Sequence, residues 1–219
     1  MHVWIDRSEP LDALISRHAD APLMLDTEFM RIDTFHPKLA LVQLNLGGEI
    51  VVADPLAIPG LGALARQLAD PARLTVMHSA SEDLEALAPM LPRGLGRLYD
   101  TQIAAAMTGF GAGLSYQKLV AAVAGVELPK AETRSDWLQR PLTARQLEYA
   151  AHDVEYLPAV HAELDARLER LGRREWHAED CARLVERATR REGDPEPQRG
   201  FKNAADWTRE QQEIGRAHV

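Results

Sequence analysis

Residues Met24–Phe29 read MLDTEF, an apolar run expected to be a buried strand, with two carboxylates, Asp26 and Glu28, set two positions apart. Asp and Glu are depleted in strands and costly to bury. Side chains alternate across a strand, so both acids point to one face, within a few ångströms of each other. Two anions that close in a low-dielectric setting repel, and one of them is held protonated unless a cation sits between them. Hard oxygen donors of this kind suit Mg²⁺ or Mn²⁺. Taken alone, a D-x-E pair fits an edge strand with a solvated polar face equally well.

Working outward from this strand, expected over Pro22–Phe29, the patterning predicts two further strands, Leu39–Leu46 and Glu49–Asp54, joined by a tight Gly47-Gly48 hairpin. A strand at His2–Ile5 and a helix over Pro10–Arg17, with Ser8 as its cap, precede them. A helix near Leu61–Ala69 leads to a strand at Leu74–His78. The segment SASEDLEALAPML then begins a helix, with Ser79 or Ser81 as cap and Glu82 and Asp83 in the favourable first turn. A short strand, Arg97–Tyr99, precedes a helix starting at Asp100–Thr101. After the loop GFGAG the chain reads as helical, with Thr143 capping TARQLEYAAHDVEY. Pro158 opens the next helix, whose apolar residues Val160, Leu164, Leu168 and Leu171 share one side, and a basic helix runs through Trp176–Arg191. Hairpin-linked strands followed by alternating strands and helices imply an α/β fold, a mixed sheet flanked by helices.

The 219 residues, 46% of them apolar, allow one sizeable domain with a proper core. No stretch approaches the ~18–20 apolar residues of a membrane helix, and the N-terminus lacks the charge and apolar pattern of a signal peptide. A single cysteine, Cys181, excludes an internal disulfide and a cysteine-rich zinc site, and fits a reducing cytoplasm. The formal net charge of −8 argues mildly against nucleic acid, but carboxylates that hold cations are counted as negative here and neutralised in use.

Two later segments add acids. HSASEDLEAL places Asp83 at a helix start directly after a strand, and EYAAHDVEYL places Tyr149 and Asp153 one turn apart on one helix face. A helix-dipole acid and an amphipathic helix account for each alone, but not for four acids and a tyrosine in this order. With LDTEF, these segments resemble the three motifs of the DEDDy 3′–5′ exonucleases, specifically ribonuclease D. TRSDWLQRPLTARQLEYAA, FHPKLALVQL and YDTQIAAAM are similar to other segments of that family, and the resemblance covers roughly residues 1–190. The related histidine branch needs His five residues before the last Asp, where this chain has Glu148.

The resemblance implies a ribonuclease H-like fold and two divalent metal ions (Mg²⁺ or Mn²⁺) clamping an in-line phosphoryl displacement. It assigns Asp26 to both ions, Glu28 and Asp153 to the first and Asp83 to the second mainly through water, with Tyr149 orienting the attacking water. Hydrolysis would release nucleoside 5′-monophosphates from a free 3′-hydroxyl end of RNA, as in tRNA 3′-end processing in the cytoplasm, by a protein that is expected to be monomeric. Stacking and phosphate contacts hold single-strand ends. The candidates are Phe29, His36, Lys38, Gln43, His78, Lys130, Arg134, Trp137 and Arg140. Two alternatives are a DNA-directed exonuclease of the Werner type and a non-catalytic nucleic-acid-binding module on the same fold.

The exonuclease domain is expected over residues 1–192, followed over 193–212 by a linker, GDPEPQRG, and by GFKNAADWTREQQ, which looks like the beginning of an HRDC-type helical domain. The final EIGRAHV matches one reading frame of a common sequencing adapter (GAG ATC GGA AGA GCA CAC GTC). Glu213–Val219 are therefore expected to be non-native, on a truncated chain.

Overall fold

Gly47 and Gly48 both take positive φ, the conformation that a tight hairpin demands and that glycine adopts without strain. They fold β3 (Lys38–Leu46) back onto β4 (Glu49–Ala53), and β3 pairs on its other edge with β2 (Leu23–Met30), giving an antiparallel ribbon. β1 (His2–Ile5) joins β4 in parallel; β5 (Thr75–Met77) joins β2 in parallel, and β6 (Leu98–Asp100) joins β5. The six strands lie in the order β1-β4-β3-β2-β5-β6, the mixed sheet that the hairpin and crossover signals require. This computed structural model describes residues 2–31, 37–129 and 135–189, with Thr208. The linker, domain start and tail expected over 193–219 otherwise lie outside the described residues.

Alternation along the strands makes two cores. Leu23, Leu25, Val42, Leu44, Val51 and Ala53 face α1 (Ser8–Arg17), α2 (Gly62–Leu68), α3 (Ser81–Leu87) and α8 (Arg174–Thr189). Met24, Val76 and Tyr99 point the other way, towards α5 (Tyr116–Ala124), α6 (Ala144–Glu155) and α7 (Leu157–Arg170), while α4 (Thr101–Met107) packs between α7 and α8. Cys181 is buried in α8. Among the described residues, no helix is long and apolar enough to cross a membrane.

Three expectations fail for local reasons: Ser8 does not cap the first helix but is its first residue, after an Arg7 N-cap with no side-chain cap bond, and two others fail further along. Neither Ser79 nor Ser81 caps α3: Ser79 sits at φ 58°, and Asp100 accepts the N–H groups of Ser79 (3.2 Å) and Ala80 (2.9 Å). The same carboxylate is the N-cap of α4, accepting from Gln102 and Ile103, so one buried acid ends two loops. The chain after GFGAG is also not continuously helical. Gly125 closes α5 at φ 70°, and no helix forms again among the described residues until Thr143 and Gln146 build a capping box on α6.

Candidate active site

β2 outruns its neighbour. Its pairing with β5 stops at Met24↔Val76, whereas its pairing with β3 continues to Met30↔Lys38. Asp26 and Glu28 therefore lie in a notch, with β3 on one side and the start of α3 on the other. A register shift between Glu28 and Phe29 bends the strand beside the acids. Helix α6 lies across β2, β3 and β4 and brings Tyr149 and Asp153 down on the face carrying Asp26 and Glu28. Its far end is pinned to the sheet by Asn45, whose Nδ2 donates to the carbonyls of Val154 (3.2 Å) and Glu155 (3.4 Å).

One carboxylate oxygen from each of Asp26, Glu28 and Asp153 lies within 4.8 Å of the other two. Asp83 stands outside that trio. The Thr27 hydroxyl donates to its Oδ1 at 2.5 Å, and the Thr27 backbone N–H also donates to its carboxylate. Thr27 thus ties the two motifs together from the opposite face of the strand.

Burial is the largest cause that raises all four acids. Asp26 is held well above the ordinary carboxylate range by burial and then by Asp83, Asp153 and Glu28. Glu28 is pushed up to about 9 by burial and then by Asp153 and Asp83. Asp153 rises to about 7, moderated by a hydrogen bond from Tyr149, and Asp83 to about 6, moderated by Thr27. Burial also raises the Tyr149 phenol, as do Asp153, Glu28 and Asp26, so it keeps its proton and acts as a donor. Asp153 Oδ2 is buried with no hydrogen-bond partner among the described residues. A close trio of oxygens with an orphaned acceptor is a hard-donor site, and it fits a divalent cation.

The RNA-contact candidates divide. Lys38 is exposed and Phe29 half-buried at the end of β2–β3 nearest the acids; His36, Lys130 and Arg134 lie outside the described residues. Four others are either buried or already hydrogen-bonded within the fold. Trp137 is 3% exposed, packed among Ala40, Leu41 and Val52, and its ring backs Tyr149 at 6.1 Å. It is core, not a stacking platform. Gln43 is 0% exposed. His78 uses both ring nitrogens, on Thr101 Oγ1 (2.9 Å) and the Leu114 carbonyl (3.0 Å), anchoring the glycine-rich loop. Arg140 donates to both oxygens of Asp54 at 2.8 Å and to the carbonyls of Ala40, Trp137 and Gln139.

Arg140 is therefore structural, with a measurable consequence. Burial raises the Asp54 carboxyl, but hydrogen bonds from Arg140 and the Leu56 N–H outweigh it and hold the group below its ordinary value. The stabilisation from this pair is present above about pH 4 and lost as pH falls through the depressed value. Arg140→Ala is expected to lower stability by about 2–4 kcal/mol at neutral pH, checked by urea unfolding. The difference from the wild type should shrink below pH 4.

Thr27, Asn45 and Asp100 are the positioning residues that sequence reading missed. Only Thr27 carried a signal, a hydroxyl between two acids that must point to the opposite face.

The sequence matches the family described as 3′–5′ exonuclease over residues 2–169. It is 46% identical over 205 residues to ribonuclease D of Xanthomonas oryzae pv. oryzae, covering 92% of this chain and 55% of that protein. The crystal structure of Escherichia coli RNase D, described as an exoribonuclease involved in structured RNA processing, superposes with a TM-score of 0.82 at 36% identity, over 86% of this chain and 51% of the other. Brucella melitensis NrnC with bound Mg²⁺ gives 0.71 at 25% identity, over 85% of this chain and 90% of that one. The chain spans about half the length of the curated relatives it matches.

Proposed function

This chain belongs to the 3′–5′ exonuclease family, and from that premise we propose that it is a metal-dependent exoribonuclease that shortens RNA from a free 3′-hydroxyl end to nucleoside 5′-monophosphates. The observation that carries the reading is the convergence of Asp26, Glu28 and Asp153 within 4.8 Å, with Asp83 tied to the same strand through Thr27. No carboxylate of the four-acid pattern is missing, which speaks against a non-catalytic module.

Asp26, Glu28 and Asp153 would hold one divalent ion, and Asp83, whose Oδ1 is engaged by Thr27, would offer its remaining oxygen to a second. When bound, Mg²⁺ or Mn²⁺ ions lower the pKa of an attacking water and neutralise charge developing on the phosphate. Tyr149 keeps its proton and stands beside Asp153, so it orients the attacking water by hydrogen bonding and does not act as the base. Lys38 and Phe29, at the end of β2–β3 nearest the acids, are the residues proposed to hold the phosphate and base of the terminal nucleotides.

The RNA assignment is supported by the ribonuclease D relatives, and tRNA precursors processed in the cytoplasm are the proposed substrates of a monomeric protein. The exonuclease domain is proposed to span residues 1–192, with 193–212 opening an HRDC-type helical domain and 213–219 not native. The test is a 5′-labelled tRNA with a single-stranded 3′ extension, and its DNA counterpart, each incubated with Mn²⁺. The expected result is a ladder shortening one nucleotide at a time, faster on RNA and stopped by EDTA. Equal or faster digestion of DNA favours the Werner-type reading, and intact substrates overturn the enzymatic one.

A further inference from the structure

Gln43 is fully buried, yet neither Nε2 nor Oε1 has a hydrogen-bond partner among the described residues. Buried polar groups are bonded in the great majority of cases, and an orphaned amide loses its hydration without compensation. A leucine or methionine would fill the same space without that loss. The fold alone therefore gives no reason for an amide at this position.

The register supplies one. Gln43 stands directly opposite Asp26 in the β2–β3 ladder, so both side chains rise from the same face with Cβ atoms roughly 4.5–5.5 Å apart. Its neighbours along β3 and across on β4 are apolar or already engaged. Val52 faces it from β4, Leu41 precedes it along β3, and Asn45 is committed to Val154, Glu155 and the Gly48 N–H. The polar group directly across the ladder is the Asp26 carboxylate, with Glu28 one pair further along the same face.

The geometry points to Gln43 as a positioning residue for Asp26: its amide makes no hydrogen bond among the described residues of the metal-free chain, and with a cation bound its Nε2 would donate to one oxygen of the carboxylate directly opposite it and leave the other free for the ion. Gln43 itself touches neither ion nor RNA. This inference rests on the metal-site reading above and extends it to the strand behind the acids. Outer hydrogen bonds to metal-ligating carboxylates commonly account for 10–100-fold in metal affinity.

The test is calorimetric titration of Mn²⁺ into the RNA-free protein, for the wild type, Gln43→Leu and Gln43→Met, with melting curves and steady-state cleavage alongside. Both variants are expected to melt at or above the metal-free wild type, because two orphaned polar atoms are gone. Both should bind Mn²⁺ about 10–100-fold more weakly, with kcat reduced and KM for RNA unchanged. Wild-type Mn²⁺ affinity in either folded variant overturns the role. If Gln43→Leu does not fold, Gln43→Met, closer in length to glutamine, decides. A wild-type protein that binds no Mn²⁺ sinks the metal site itself, a different result from a Gln43 variant that binds as well as wild type.

Discussion

Asp153→Asn and Asp26→Asn are each expected to reduce RNA cleavage by on the order of a thousandfold or more while leaving the protein folded. The trio of oxygens within 4.8 Å is the proposed cation-binding surface, and an amide in place of one carboxylate removes both a ligand atom and a charge. Lewis-acid assistance contributes several kcal/mol of transition-state stabilisation, and each ~1.4 kcal/mol is a decade in rate. Nothing in the core depends on these charges, since the acids repel one another across the notch. Removing one should raise the melting temperature of the metal-free protein above neutral pH, where the lost group would be ionised. Tyr149→Phe keeps the ring against Trp137 and loses only a hydroxyl, so it should cost less, about 10–100-fold. Single-turnover digestion of a 3′-tailed RNA, paired with melting curves in EDTA, separates these effects. Near-wild-type cleavage by either Asn variant would remove the acids from the active site.

The sequence made the acids legible because a strand and a helix have fixed periods. Asp26 and Glu28 must share a face, and Tyr149 and Asp153 must stack one turn apart, whatever else the chain does. The six strands were legible for a similar reason, since each is an apolar run bounded by hairpin or helix-start signals. Contacts between elements distant in sequence carry no such period. Asp100 capping the turn into α3, and Arg140 reaching Asp54, depend on where two loops end in space. The same gap explains the misplaced substrate candidates. Arg140 and Trp137 have residue types suited to RNA, but Trp137 is buried and the Arg140 guanidinium is engaged by Asp54 and three carbonyls, and both facts are properties of the assembled fold. Gln43 shows the reverse: its polarity was visible in the sequence, but that its neighbour is Asp26 depends on strand register.

Metal-free protein is expected to lose stability as pH rises from about 5 to 9, and saturating Mn²⁺ to restore it, most strongly at the alkaline end. The unfolded chain releases carboxyl protons near pH 4, whereas the native state holds them until about 6 at Asp83, 7 at Asp153 and 9 at Glu28. Between those limits the native state binds more protons than the unfolded one, so its stability falls with rising pH. The slope vanishes above the highest native value, where both states are ionised and the full repulsion is present. Each unit of difference corresponds to about 1.4 kcal/mol, so the decline amounts to several kcal/mol. A divalent cation competes with those protons and binds only the native arrangement. At a concentration near 100 times Kd it adds about 2.7 kcal/mol, or about 5–10 °C in Tm for a chain of this size. Asp54 opposes the trend below pH 4, where its pairing with Arg140 is lost, so the metal-free optimum should fall near pH 4. Melting curves from pH 4 to 9, with EDTA and with Mn²⁺, read both effects. A Tm that stays level or climbs across that range in EDTA would mean that the four acids do not confront one another in the folded chain, and a Tm indifferent to Mn²⁺ would mean that they do not meet around a cation.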